Sequence, residues 1–241
     1  MIDPARSFDR AADDYERFRP GYPAELLDEL PVTDGADVLD LGAGTGKLTR
    51  LLAARYGRVT AVEPLDGMRR ILERVVPDAT ALAGTAEEIP LPDASVDAVF
   101  AGQAFHWFAN DAAVAEIGRV LRPGGILSLV WNEPVDPTPL PQAFADCLDE
   151  LHAPSLERTQ QGEPWRGLLE RGPFRSLREA AVEHEQLQSR EGVLATAQTF
   201  SWIAHRPDDE RAEIGRKLDE LLGDGPYVFR MRANVLWGVR A

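Results

Sequence analysis

The sequence predicts an α/β protein: a doubly wound, mostly parallel seven-stranded sheet with the last strand antiparallel. Three observations predict it. Strand-like and helix-like segments alternate from residue 38 to residue 131. Two strand segments, 96–101 (VDAVFA) and 126–131 (ILSLVW), are nearly continuous in apolar residues, as strands covered on both faces are. The segment from Tyr227 to Val239 instead alternates at period two, the mark of an antiparallel finish.

Taken in order, Phe8, Ala11, Ala12, Tyr15 and Phe18 recur at helical spacing and predict a helix over 5–18 that stops before Pro20. A second helix starts at Pro23 and carries Leu26, Leu27 and Leu30. Val38 to Leu41 form a short strand broken by glycines at 42, 44 and 46, followed by a helix with Leu48, Leu51, Leu52 and Ala53. Strand 59–63, helix 66–75, strands 79–83 and 96–101, helix 111–121, a turn at 121–125 (LRPGG) and strand 126–131 complete the alternating part. Residues 134–173 are richer in Pro and polar side chains, with helical stretches at 141–152 and 164–171, and read as an insertion between sheet elements. A weaker strand at 177–187 and a helix at 208–222, closed by Gly223 and Gly225, precede the final strand.

Composition narrows the function. The 241 residues carry 26 basic and 40 acidic side chains, a net charge of -14, with 44% apolar residues, which is ordinary for a globular chain able to bury a full core. The negative charge disfavours duplex nucleic acid as a partner. No stretch approaches the ~18 apolar residues of a membrane span, and the start MIDPARSFDR lacks the apolar core of a signal peptide, so a cytoplasmic location away from membranes is expected. Cys147 alone forms no intrachain disulfide, and His106, His152, His184 and His205 have no zinc-ligand spacing.

Most of the information lies in VLDLGAGTGKLT, residues 38–49. Glycines at 42, 44 and 46 let the backbone turn sharply and approach a ligand at the C-terminal edge of the sheet. Neither phosphate motif is satisfied: Lys47 stands where the dinucleotide fingerprint needs glycine, and Leu48 stands where a P-loop needs a hydroxyl. Asp40 lies inside the strand before the turn, Glu63 ends the next strand in VTAVEP, and Thr85-Ala86-Glu87-Glu88 follows the third. An acid at the end of the second strand can accept hydrogen bonds from both hydroxyls of a ribose. The ligand implied is a ribose without a pyrophosphate.

On these residues the chain resembles the class I S-adenosylmethionine-dependent methyltransferases. Their E/DxGxGxG turn, acid at the second strand's end, small-residue and acid adenine loop and LxPGG turn are matched by LDLGAGTG, Glu63, TAEE and LRPGG at 121–125. The match is strong over 34–132 and loose elsewhere. The resemblance implies a Rossmann-like methyltransferase fold and S-adenosyl-L-methionine as cofactor, with S-adenosyl-L-homocysteine as product. It places Asp40, Gly42, Ala43, Gly44, Gly46, Glu63, Pro64, Met68, Thr85, Ala86, Glu87, Gln103, Ala104 and Phe105 at the cofactor. In the family the Asp40 position organises the glycine loop and approaches the methionine amino group. Of Glu87 and Glu88, only one is expected to face the adenine.

The acceptor should sit where strand 96–101 ends, at GQAFHWF, residues 102–108. The (Asp/Asn/Ser)-Pro-Pro-aromatic tetrapeptide of amino-methylating nucleic-acid enzymes is absent there, and Cys147 follows Asp146 instead of the proline of a cytosine C5 enzyme. AFHW, with the aromatic FDRAADDYERFRPGYP segment, is similar to the branch that includes trans-aconitate methyltransferases and related small-molecule O-methyltransferases. That resemblance implies a lid at 1–30, a cofactor-binding core at 34–132, a substrate cap at 134–173 and a sheet-completing part at 177–241, within one domain. It implies Tyr15, Arg19, Tyr22, His106 and Trp107 at the acceptor, with His106, Arg19 and Tyr15 as the catalytic set. Methyl transfer to a small-molecule carboxylate or hydroxyl oxygen, in line and without metal, is the expected reaction, by a monomer or homodimer. His106 serves either as base for a hydroxyl or as pocket lining against Trp107. Three alternatives stand beside this reading. An NAD-dependent oxidoreductase would use Glu63 equally well, a non-catalytic interaction protein could retain the fold, and a protein or nucleic-acid methyltransferase would share the chemistry.

Overall fold

The computed structural model describes residues 12–135, 137–152 and 163–241. In chain order the elements are a helix at 12–18 (α1), a 3-10 helix Ala24–Glu29, β1 Asp37–Leu41, α2 Lys47–Arg55, β2 Arg58–Val62, α3 Asp66–Val75, β3 Thr80–Leu82, β4 Val96–Gly102, a 3-10 turn Phe105–Trp107 and α4 Asp111–Val120. There follow β5 Leu121–Pro134, α5 Gln142–His152, α6 Glu163–Arg171, β6 Phe174–Gln188, α7 Arg190–Gln198, α8 Ser201–Ala204, α9 Asp208–Leu221 and β7 Tyr227–Arg240. The part of the expected 5–18 helix before residue 12, with Phe8, lies outside the described residues.

The seven strands form one sheet in the order β3-β2-β1-β4-β5-β7-β6. The pairs β1–β2, β1–β4, β2–β3 and β4–β5 are parallel. Val135 N–H donates to Arg230 O, and Asn234 Nδ2 donates to Glu133 Oε2, so positions rise along β5 as they fall along β7: the last strand is antiparallel. β4 is the central strand, as its apolar run predicts. The order reverses between β1 and β4, which leaves a crevice beyond their C-terminal ends, where open α/β sheets bind ligands.

Two compact units make up the chain. One comprises 21–133, 160–182 and 232–241. In it Leu39, Val99 and Leu129 point into one apolar cluster with Phe105, Ile117, Trp131 and Trp165, while Val38, Phe100 and Val130 point into another with Leu26, Leu48 and Leu52. Neighbours along each strand thus feed opposite faces, which is why these strands lack a polar side in the sequence. The helices match: α3 buries Met68, Ile71 and Leu72 at helical spacing, and the N-cap Asn110 accepts from Ala113 N–H to start α4. The other unit comprises 1–20, 134–159 and 183–231, and its core is built on Phe144, Cys147, Val193, Ile203 and Leu218.

Several expectations change here. The insertion at 134–173 divides, since α5 belongs to one unit while α6 puts Trp165, Leu168 and Leu169 into the core of the other. LRPGG is not a turn ahead of a strand but part of β5: the register advances two positions along β4, from Val96 to Ala98, against five along β5, from Leu121 to Ile126, a bulge with Gly124 at φ 80°. Helices α7 and α8 were not expected, because Gly192, Thr196 and Thr199 blur the helical pattern. Burial of Val193, Ala197, Ile203 and Ala204 drives them instead. Among the described residues, no helix is long and apolar enough to cross a membrane.

Candidate active site

The glycine turn leaves β1 at Leu41 and enters α2 at Lys47. Gly42 and Gly44 both have positive φ, 70° and 58°, a conformation L side chains rarely adopt. Their surroundings differ. A Cβ on Gly42 would lie 2.8 Å from Ala104 Cβ, which makes this glycine a packing requirement, whereas a Cβ on Gly44 would point into open space. Gly44 is therefore where the backbone can be approached.

Two carboxylates hold this turn. Glu63, 6% exposed, accepts from Gly44 N–H through Oε2 at 2.8 Å and from Leu65 N–H through Oε1 at 2.9 Å. Asp40, 1% exposed, accepts from the Thr49 hydroxyl through Oδ2 at 2.6 Å, while its Oδ1 is buried with no hydrogen-bond partner. Burial pushes the Asp40 carboxyl up to about 7, a rise the Thr49 hydroxyl opposes and the Glu63 charge reinforces. An unpartnered buried carboxylate oxygen is costly, and a cation or N–H donor beside it would remove the cost.

On the far side of the crevice, β4 ends at Gly102 and Gln103 adopts φ 51°. Gln103 Nε2 donates to Asn132 O and Asn132 Nδ2 donates to Gly21 O, at 3.0 and 2.9 Å, so the ends of β4 and β5 are tied to the segment entering the sheet. Tyr22 follows, its hydroxyl 3.1 Å from where a Cβ on Gly102 would stand. His106 and Trp107 pack with ring centroids 5.0 Å apart, Trp107 being 59% exposed. His106 Nδ1 is buried without a hydrogen-bond partner, and burial holds the imidazole below its ordinary value, so the ring is neutral at pH 7.

Comparison with known proteins bears on what this crevice does. A methyltransferase domain model matches residues 39–129. An uncharacterised methyltransferase of Mycobacterium tuberculosis is 37% identical over 224 residues, 93% of this chain and 88% of that protein. The chain belongs to the class I S-adenosylmethionine-dependent methyltransferases. An uncharacterised methyltransferase of Schizosaccharomyces pombe is 34% identical across 90% of the chain and 87% of its own length. A malonyl-[acyl-carrier protein] O-methyltransferase of Dechloromonas aromatica is 34% identical over 150 residues, 61% of this chain and 57% of that one. Among solved structures, a candidate type II methyltransferase of Anaeromyxobacter dehalogenans superposes with a TM-score of 0.65 at 32% identity, covering 92% of this chain and 97% of that one.

Within this methyltransferase, the residues expected at the cofactor lie at the glycine turn, in the loop after β3, on α3 and just beyond β4. Asp40, Gly42, Ala43, Gly44, Gly46, Glu63 and Pro64 converge on the turn. Thr85, Ala86 and Glu87 form a tight loop closed by a bridge between Thr85 and Glu88, with Ala86 in the core and the Glu87 carboxylate accepting from Asn110 Nδ2 at 2.8 Å. Met68 and Phe105 are buried, Phe105 lying edge-on to Trp165 and Phe108. Three supporting residues escaped the sequence reading. Thr49 binds Asp40, Arg69 donates to Glu63 O and pairs with Asp66, and Asn132 links Gln103 to Gly21. The phase of GTGKLT could have found Thr49, since it lies inward with Leu48 and Leu52 on α2. Nothing local pointed to the other two.

Tyr15 and Arg19 belong to the other unit. There Arg19 donates to Thr199 through Nε (2.8 Å, to Oγ1) and NH2 (3.1 Å, to the carbonyl), and its guanidinium lies 4.6 Å from the Phe200 ring centroid and 5.3 Å from that of Tyr15. Gln188 and Thr196 donate to Phe18 O at 3.0 and 3.2 Å. The end of α1 is thus pinned to α7 through polar groups, one of which, Thr199, is 1% exposed. Arg19→Ala is expected to cost about 1–3 kcal/mol by stripping these bonds. Thermal unfolding should show this as a Tm lower by ~2–4 °C per kcal/mol. An unchanged Tm would show that the pinning contributes nothing.

Proposed function

We propose that this methyltransferase binds S-adenosyl-L-methionine in the crevice between the ends of β1 and β4 and methylates a small-molecule oxygen, a carboxylate or a hydroxyl, without metal. The observation that carries the cofactor assignment is the pairing of an approachable Gly44 with the unpartnered, buried Asp40 Oδ1. The residues fit the group. Gly44 admits it closely, the Asp40 carboxylate offers an acceptor and countercharge for its cationic amino-acid end, and Glu63 lies where a ribose is expected to donate. When bound, the cofactor supplies a sulfonium methyl open to in-line displacement.

The chain's own residues do the rest. Tyr22 and Trp107 bound the acceptor side, and alignment of two held reactants is worth up to ~7–11 kcal/mol of the barrier. A carboxylate acceptor needs no base. A hydroxyl loses its proton to His106, whose ring is kept neutral by burial and so is ready to accept one. Oxygen as acceptor is supported by the partial likeness to malonyl-[acyl-carrier protein] O-methyltransferases.

Calorimetry should detect binding of S-adenosylhomocysteine with the same dissociation constant in chelator and in magnesium, and transfer of labelled methyl to small carboxylates or phenols should be equally indifferent. Binding or turnover seen only with magnesium would overturn the metal-free mechanism. Preference for NAD would overturn the cofactor assignment.

A further inference from the structure

Glu116 and Arg119 lie one turn apart on α4 and bond to each other and to the loop at 83–95, which joins β3 to β4 and contains Thr85, Ala86 and Glu87. Glu116 Oε2 accepts from Ile89 N–H at 3.0 Å. Arg119 uses all five of its donors: Nε to Glu116 Oε1 at 2.7 Å, one amino group to Leu91 O and Asp93 Oδ1, both at 2.8 Å, the other to Ile89 O at 2.9 Å and Glu116 Oε2 at 2.8 Å. Ala94 N–H and Ser95 N–H then donate to the backbone oxygens of Arg119 and Val120, and at the other end of α4 the capping Asn110 reaches Glu87.

A loop without strand partners must satisfy its backbone polar groups elsewhere, and here one guanidinium and one carboxylate do so at Ile89 and Leu91. Each group also fixes the other's charge: Arg119 holds the Glu116 carboxyl below its usual range, and Glu116 raises Arg119. Nothing in the reaction described above uses either residue. Their bonds anchor Ile89, Leu91 and Asp93, just C-terminal to Thr85–Glu87, while Asn110 holds Glu87.

We propose that Glu116 and Arg119 are positioning residues for base recognition: by holding the 83–95 loop in one conformation they confer the preference for adenine over a purine lacking the 6-amino group. This rests on the cofactor reading given above. A loop ordered before binding loses little entropy on binding, and discrimination by hydrogen bonding depends on donors and acceptors that cannot shift to suit the wrong base.

The test compares dissociation constants for S-adenosylhomocysteine and its hypoxanthine analogue S-inosylhomocysteine by calorimetry. The proteins are wild type, Arg119→Gln, Glu116→Gln and the control Arg122→Gln, which removes a comparable guanidinium pairing with Asp97 and Asp37 away from the loop. Wild type is expected to prefer the adenine ligand by about tenfold or more, the worth of roughly one well-placed hydrogen bond. Arg119→Gln and Glu116→Gln should compress that ratio several-fold, and amide exchange at Ile89 in the free protein should quicken. Arg122→Gln should keep the ratio whatever it does to stability. An undiminished ratio in a folded Arg119→Gln overturns the proposal, and so does an undiminished ratio in Glu116→Gln if Arg119→Gln does not fold. Compression in Arg122→Gln as well would reduce the effect to general destabilisation and also overturn it. If wild type binds neither ligand, the cofactor reading itself has failed and the positioning role falls with it. If it binds S-adenosylhomocysteine but no more tightly than the hypoxanthine analogue, the cofactor reading stands and the positioning proposal alone is overturned.

Discussion

Glu63→Ala is expected to weaken S-adenosylhomocysteine binding by about 2–4 kcal/mol, roughly thirty- to several-hundred-fold. Two effects combine. A ribose at the end of β2 loses a charged acceptor, and the glycine turn loses the carboxylate that accepts from Gly44 N–H and Leu65 N–H. The second effect falls on the free protein too, so thermal stability should drop by the worth of one or two charge-assisted bonds, about 1.5–3 kcal/mol each. Glu63→Gln separates the two. Its amide oxygen can keep one backbone bond, so much of the stability should return. The NH2 group cannot accept from a second hydroxyl, so affinity should stay low. Calorimetry and melting on both variants decide the matter; an unchanged dissociation constant for Glu63→Ala would remove Glu63 from the site.

The second large effect is a pH dependence carried by Asp40. Its carboxyl is raised from 3.8 to about 7 in the folded free protein by burial, so the sign is that of a group favouring its protonated form when folded. The stability it contributes is complete below pH 3.8 and is lost as pH rises through about 7. The loss amounts to about 4 kcal/mol, at 1.36 kcal/mol for each tenfold change in proton affinity. Asp40→Asn, which retains an acceptor for Thr49, should flatten this slope and be the more stable protein at pH 8. Ligand binding should run the other way. A cationic amino-acid group beside Asp40 needs the carboxylate, so below pH 7 wild-type affinity should fall by up to about tenfold per pH unit, with a proton released on binding. Asp40→Asn should show weak, pH-independent affinity. A wild-type affinity that does not change between pH 5.5 and 8 would refute this account of Asp40.

Much of the framework of the candidate site was legible because it is built from backbone and short motifs. Three glycines, an acid two residues before the first of them and an acid ending the next strand occupy a contiguous 24-residue stretch, and parallel pairing of β1 with β2 necessarily brings their ends together. The supporting residues were not legible for the converse reason. Arg119 reaches Ile89 and Leu91 across 30 and 28 positions, and Asn132 reaches Gly21 across 111, contacts that no local period encodes. The bonds of Arg19 to Thr199, 180 positions away in its own unit, are of the same kind.

By itself the sequence determined the α/β class, the central place of β4, the antiparallel last strand and the glycine turn with its two acids. Each of these follows from periodicity, from continuous apolar runs or from a conformation only glycine takes readily. Tertiary structure alone decided that β7 lies between β5 and β6, that LRPGG is a bulge within β5, that α7 and α8 form, and that α5 and α6 enter different cores. These outcomes depend on which buried surfaces meet. That is settled by packing between segments far apart in the chain, where local propensity is worth only fractions of a kcal/mol per residue and burial of one large side chain is worth roughly 1.5–3.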